Sequence, residues 1–176
     1  MPSTQVMPRT GRGTAAAKES GNIQPFDWQT AVERFEAGGW FWLTTAGSDG
    51  RPHSMPCFAA WSGSSFFVAS KATTRKSRNL DENEACVLTK DTADVHLIVE
   101  GTARRVTDED GLQRASEAMQ RIYGWPTTVA GDELDAEYGA PTSGGPPYRV
   151  YEIRPAKGFA LPIDGEAFAP TRWHFG

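Results

Sequence analysis

A succession of short apolar runs, joined by turns too short to hold a helix, constrains this chain more than any other feature. Residues 40–45, 53–61, 66–70, 85–90, 95–106, 148–153 and 157–161 are rich in β-branched and aromatic side chains and read as strands. Ser48-Asp49-Gly50, Ser62-Gly63-Ser64 and Asp91-Thr92-Ala93-Asp94 separate consecutive runs with turn residues. Only two stretches of any length read as helices. Asp27 is placed to cap a helix over residues 28–37, with Trp28, Val32 and Phe35 on one face and Gly38-Gly39 ending it. Thr107 with Asp110 reads as a capping box, opening a helix to about Tyr123 with Leu112, Ala115, Met119 and Ile122 at helical spacing. Six or seven strands with few helical crossovers predict a mainly β chain with flanking helices, closed as an antiparallel barrel rather than a doubly wound sheet.

The length of 176 residues suits one domain with a sizeable core. Residues 1–22 carry no apolar periodicity and are expected to form a flexible N-terminal arm, leaving 23–176 as the folded domain. Residues 124–147, rich in Gly, Pro and acids, are expected to be an irregular excursion. Trp40, Phe41 and Trp42 are expected in the core. A formal net charge of −4 argues against nucleic acid and anionic membranes as partners. Cys57 and Cys86 form no CxxC pair and the three histidines are scattered, which argues against structural zinc. No apolar stretch is long enough for a membrane span, and two unpatterned cysteines suit a cytoplasmic protein with free thiols.

Within this acidic background one stretch is locally basic: Thr73-Thr74-Arg75-Lys76-Ser77-Arg78-Asn79-Leu80. A threonine N-cap would put Arg75, Lys76 and Arg78 in the first turn of a short helix. That end of a helix carries unsatisfied N–H groups and the positive pole of the macrodipole, so cations there are misplaced unless an anion sits among them. A phosphate fits the demand. A solvated surface turn, partly neutralised by Asp81, Glu82 and Glu84, fits the composition too, and both readings stay open on spacing alone. A second oddity is Pro56 inside the run 53–61. A proline donates nothing to a ladder, so this strand is an edge, a bulge, or a place where something other than a strand lies alongside.

Four features together resemble the FMN-binding split barrels typified by pyridoxamine 5'-phosphate oxidase, whose deazaflavin-using relatives employ coenzyme F-420. They are the hairpin from Thr44-Thr45 through Asp49-Gly50-Arg51-Pro52-His53; the strand 66–70 followed by Thr74-Arg75-Lys76-Ser77-Arg78-Asn79-Leu80; Val99-Glu100-Gly101-Thr102-Ala103; and the ending Pro170-Thr171-Arg172-Trp173-His174-Phe175. The second is the most specific, and the resemblance spans residues 26–175. It implies a six- or seven-stranded antiparallel split barrel that binds FMN or, alternatively, coenzyme F-420 and transfers hydride to or from a small organic substrate. It implies that Thr74, Arg75, Lys76 and Arg78 contact the cofactor phosphate, that Met55, Pro56 and Cys57 line the ring system through backbone groups, and that Ser70 sits near the ring's polar edge. It implies a homodimer with cofactors at the interface, where Arg172 and Trp173 reach a site.

The chain departs from the true oxidases in two places. Their strand before the phosphate turn carries an Arg and a Lys, whereas here it reads Phe66-Phe67-Val68-Ala69, and their C-terminal signature built on Arg-Leu and His is absent. Oxidation of vitamin B6 is therefore not expected. A flavin-binding stress or carrier protein without turnover is the alternative. No side-chain acid, base or nucleophile stands out as catalytic. Lys76 is expected to be exposed when no cofactor is bound.

Overall fold

The computed structural model describes residues 1–8, 24–140, 144–163 and 167–176. Strands β1 (Ser3–Val6), β2 (Phe41–Ala46), β3 (Pro52–Cys57), β4 (Ala60–Ser62), β5 (Ser65–Ser70), β6 (Ala85–Asp91) and β7 (Val95–Val106) come first along the chain. Strands β8 (Thr127–Ala130), β9 (Glu133–Ala136), β10 (Arg149–Pro162) and β11 (Thr171–His174) follow. Three helices intervene: α1 (Trp28–Glu36), α2 (Arg75–Glu82) and α3 (Glu109–Tyr123).

Six strands make the barrel wall, in the order β3-β2-β6-β7-β10-β5, each antiparallel to the next. The wall is split, because β3 and β5 do not pair with each other. The strand total exceeds the six or seven expected because β4, β8, β9, β11 and β1 are short additions outside this wall. Residues 148–153 and 157–161, expected as a strand pair, are one strand. β10 runs through with a register shift between Pro155 and Lys157, where the proline has no N–H to lose. β7 follows β10 along its whole length, while on the other edge β5 takes residues 149–153 and β11 takes 157–160.

Burial explains the sequence patterns. β5 is buried at every position, with Phe66 and Val68 facing the barrel and Phe67 and Ala69 facing α3. A strand covered on both faces reads as a continuous apolar run. α1 is capped by Asp27, which accepts from Thr30 N at 3.0 Å, and closes the barrel with Ala31, Val32 and Phe35. The α3 cap is Asp108 rather than Thr107: its Oδ1 accepts from Gly111 N at 2.8 Å. The expected excursion at 124–147 holds structure of its own, the β8–β9 hairpin, and it buries Trp125 and Leu134 against α3. Of the residues expected as an N-terminal arm, Ser3–Val6 pair with β11 through their backbone while all four side chains stay exposed. Residues 9–22 lie outside the described residues. Phe41 is in the core as expected, but Trp40 and Trp42 are not, at 48% and 49% exposed. The period of a strand puts 40 and 42 on the face opposite 41.

Gly101 sits opposite Pro155, and a Cβ there would run into the Arg154 carbonyl oxygen. Backbone cannot yield as a flexible side chain can. Gly101→Ala should cost about 1–3 kcal/mol, lowering the thermal midpoint by roughly 3–10 °C for a chain of this size. An unchanged melting curve would show that the two strands are free to separate here.

Candidate functional site

β5 ends at Ser70, the chain turns through residues 71–74, and α2 begins. Thr74 organises the turn. Its hydroxyl accepts from Ser77 N at 3.3 Å, lies 2.9 Å from Ser70 Oγ, and is 3.0 Å from both Ser77 Oγ and the Lys71 carbonyl. Thr74 is thus the N-cap, as the spacing predicts, and no acidic residue occupies the first turn of α2. Arg78 reaches back to donate to the Thr73 carbonyl at 2.7 Å.

α2 lies along the split in the barrel and is held from both sides. Toward β2, Asn79 donates to the Thr45 hydroxyl at 3.0 Å, and Glu82 accepts from Ser48 N and Oγ at 3.1 and 2.9 Å. These bonds hold the Glu82 carboxyl below its ordinary pKa. Toward β10, Asp81 accepts from Arg149 at 2.6 Å and from the Tyr151 hydroxyl at 3.1 Å. Several of these residues stand out in the sequence as turn or charge features, but none carries a signal for a clamping role; that comes from how the polar face of α2 docks.

Arg75 and Arg78 are exposed, but Lys76 is 3% exposed. This corrects the expectation of an exposed lysine. The helix turns Lys76 inward, onto the face of β3 that carries His53, Met55 and Cys57. Its ammonium makes no hydrogen bond and meets no carboxylate among the described residues, and it is not fully enclosed, so its tip still meets solvent. Burial lowers the Lys76 pKa from its ordinary value of 10.5, offset in part by the Cys57 thiol. Burial pushes the Cys57 thiol up to about 12, so it is an inert, protonated neighbour rather than a redox thiol. His53 is held below its ordinary pKa, first by burial and then by the Arg75 and Lys76 cations.

Of the residues proposed to line a cofactor, Met55, Pro56, Cys57, Ser70, Thr74, Arg75, Lys76 and Arg78 gather around the split. β3 is the edge strand there, which accounts for Pro56. Arg172 and Trp173 do not join them within the chain. Arg172 pairs with Phe159 on the second half of β10, with its guanidinium 5.4 Å from that ring, whereas Ser70 pairs with Arg149 at the strand's other end. Trp173 is fully buried against Phe26 and Trp28, at 6.4 and 5.1 Å between ring centroids, so it closes the barrel and presents no face to a ligand. Two clefts of about 400 and 430 Å³ lie elsewhere. One is lined by Trp28, Trp61 and Phe175, the other by Leu80, Tyr151, Arg104 and Arg105. No group of residues able to hold a metal ion occurs among the described residues.

This architecture defines a class, the split barrels with a cation-bearing helix laid across the gap. The family model of pyridoxamine 5'-phosphate oxidase matches residues 28–161, about three quarters of the chain. The chain belongs to that family. Among solved structures, a conserved hypothetical protein of Mycobacterium tuberculosis superposes with a TM-score of 0.60 at 18% identity, covering 83% of this chain and 90% of its own. General stress protein 26 of Bacillus anthracis gives 0.53 at 15%, covering 76% and 92%. A heme binding protein of Mycobacterium smegmatis gives 0.55 at 14%, covering 74% and 53%. At such identities these likenesses show the fold alone. No functionally curated protein matches the sequence.

The orphaned Lys76 ammonium has a measurable consequence. Its folded pKa is below its unfolded one, so the unfolded chain holds more protons and stability rises with pH across the window below 10.5. Lys76→Met, which keeps the volume and removes the charge, should make the ligand-free protein more stable at pH 7–8 by denaturant titration. The advantage should shrink as pH approaches 10.5. Identical stability of the two proteins at every pH would mean that the ammonium is solvated or paired.

Proposed function

We propose that this protein is an oxidoreductase that holds FMN or coenzyme F-420 across the split of the barrel and serves a small organic substrate. One observation carries the reading: Lys76, a buried cation without a protein partner, stands at the N-terminus of α2. A buried charge is tolerated when paired and costly when not, so a protein that keeps one has a partner to bring to it. The partner is an anion, because Arg75 and Lys76 both act on His53 and the first turn of α2, which they begin, offers N–H groups without an acidic side chain to take them. The phosphate on the flexible side chain that both cofactors carry fits this donor set. The free edge of β3 at Met55-Pro56-Cys57 offers backbone groups for the polar rim of a ring. A flavin or deazaflavin held there, once reduced, would supply two-electron hydride chemistry to a small organic acceptor. The chain's own part is to bind, orient and neutralise.

Pyridoxamine 5'-phosphate is a poor candidate for the substrate. It brings a second dianion, which needs a second basic pocket. β5, where the oxidases keep two cations, is apolar between Phe66 and Ala69 and buried on both faces. Arg172 lies far along β10 from the split.

We also propose a homodimer. Trp42, Thr89, Ile98, Phe159 and Arg172 form one register row on the outer face of the sheet, across β2, β6, β7, β10 and β11. Trp42 is half-exposed and the others are half-buried, leaving an apolar band rimmed by a cation. A mass near twice 19.2 kDa by light scattering is expected, with Ile98→Lys giving folded monomer. Monomeric wild type would remove this face as an interface.

The cofactor is identified by releasing it from purified protein and recording its absorbance and mass; apo protein is then titrated with FMN and with F-420. Lys76→Ala should weaken binding about tenfold to a hundredfold, given roughly 1.5–3 kcal/mol for a charge-assisted bond. Unchanged affinity would sink the phosphate assignment. Tight binding of either cofactor without turnover on any acceptor would favour the carrier reading.

A further inference from the structure

Of the three histidines, His53 is the one that stands among the cations of α2. His96 pairs with Asp91 at 2.7 Å on the β6–β7 hairpin, and His174 lies on β11. His53 is half-buried on β3, directly opposite Thr45 on β2, and its ring makes no hydrogen bond among the described residues. The Thr45 hydroxyl donates to the His53 carbonyl at 3.4 Å and accepts from Asn79 of α2 at 3.0 Å. Arg75 and Lys76 precede Asn79 by four and three residues, so the three share one face of the helix. That face is turned to the His53–Thr45 pair.

The charges that bear on His53 are of one sign. Arg75 and Lys76 both act on the imidazole, and Lys76 also acts on Cys57, four residues further along the same face of β3. Thr45 and Asn79, which face the pair from β2 and α2, are uncharged. The carboxylates of the β2–β3 turn and of α2 are committed elsewhere. Asp49 takes the Arg51 backbone N–H at 3.0 Å and its guanidinium at 3.7 Å, Asp81 takes Arg149 and Tyr151, and Glu82 takes Ser48. Burial and the two cations keep the ligand-free imidazole neutral at neutral pH. An anion seated at the same cations reverses that balance, because an opposite charge nearby favours the protonated ring.

We propose that His53 is the pH-responsive member of the anion site: it takes up a proton when a phosphate group binds at α2, and so holds the phosphate more tightly as the pH falls. This rests on the cofactor reading above and adds the regulation of the same site. The bond formed is the second ring N–H, its proton comes from solvent, and the charged ring adds a cation to the site. The coupling is reciprocal: an anion that favours the protonated ring is favoured by it to the same factor. The gain is absent where the ring is neutral in both states. It grows as the pH falls through the range in which the bound state alone is protonated.

The test titrates the full chain with FMN by fluorescence between about pH 8 and about pH 5, in wild type and in His53→Gln, which stays neutral throughout. The ratio of the variant's Kd to that of wild type should be near one at the upper end and rise to about tenfold at the lower. Titration of the FMN phosphate itself is common to both proteins. A ratio that does not change with pH, as a merely structural histidine would give, overturns the proposal. Wild type alone gives a second reading should the variant fail to fold. The His53 ring C–H signal, followed by NMR, should report protonation at a higher pH with FMN bound than without, and an unmoved midpoint overturns the proposal. Failure of both FMN and F-420 to bind wild type sinks the cofactor reading instead. The same NMR titration with inorganic pyrophosphate then decides: a raised midpoint upholds His53 as part of an anion site, and an unmoved one overturns it.

Discussion

The barrel closes through a helix rather than through a hydrogen-bond ladder, and most of the structure follows from that. β3 and β5 face each other across the split without pairing. α2 spans the gap because side chains on its two flanks are tied to opposite walls, Asn79 and Glu82 to β2 and its turn, Asp81 to Arg149 and Tyr151 on β10. A ladder would have consumed the edge of β3. The helix leaves that edge free and adds its own N-terminus beside it, so an unpaired strand and an unsatisfied helix end occur together. Each is a liability for a protein that binds nothing.

The opposite demand falls on β10. One strand must pair with β7 throughout and still serve two different neighbours on its other edge. The register shift at Pro155 is where β5 gives way to β11. The shift also explains why Arg172 and Trp173 end up away from the split. β11 belongs to the part of the sheet beyond the bulge, and Trp173 turns into the core there, stacked edge-on against Trp28. Any contribution from this end of the chain to a cofactor site would have to come from the outward-facing Arg172.

The sequence made the strands legible wherever one rule of burial governed them. The turn triplets, the Asp27 cap and the doubly buried run at 66–70 each carried their own local signal. Local signals failed where tertiary pairing decided the outcome. Pro155 looked like the end of a strand because a proline breaks a ladder in isolation; only the bulge opposite Gly101 lets the strand continue. Residues 124–147 looked irregular because Gly and Pro dominate them, yet Trp125 and Leu134 pin a hairpin to α3. The basic turn was visible as a cluster of charge, and Thr74 as its cap. That Lys76 points inward was not visible, since helical phase relative to β3 depends on how Asn79 and Glu82 dock.

That inward phase is what separates an anion site from a solvated basic turn. Arg75 and Arg78 alone would be satisfied by water and counterions, and their charges would say little. Lys76 is different because its chain is buried and it gains no carboxylate among the described residues, although Asp81, Glu82 and Glu84 follow closely in the chain. Those acids are engaged elsewhere: Asp81 with Arg149 and Tyr151, Glu82 with Ser48, Glu84 with Arg104 at 3.7 Å. The acidic residues that seemed in sequence to neutralise the basic turn instead hold the helix in place. Among the described residues no carboxylate balances the positive charge at the head of α2, and that gap is what the proposed anion would fill.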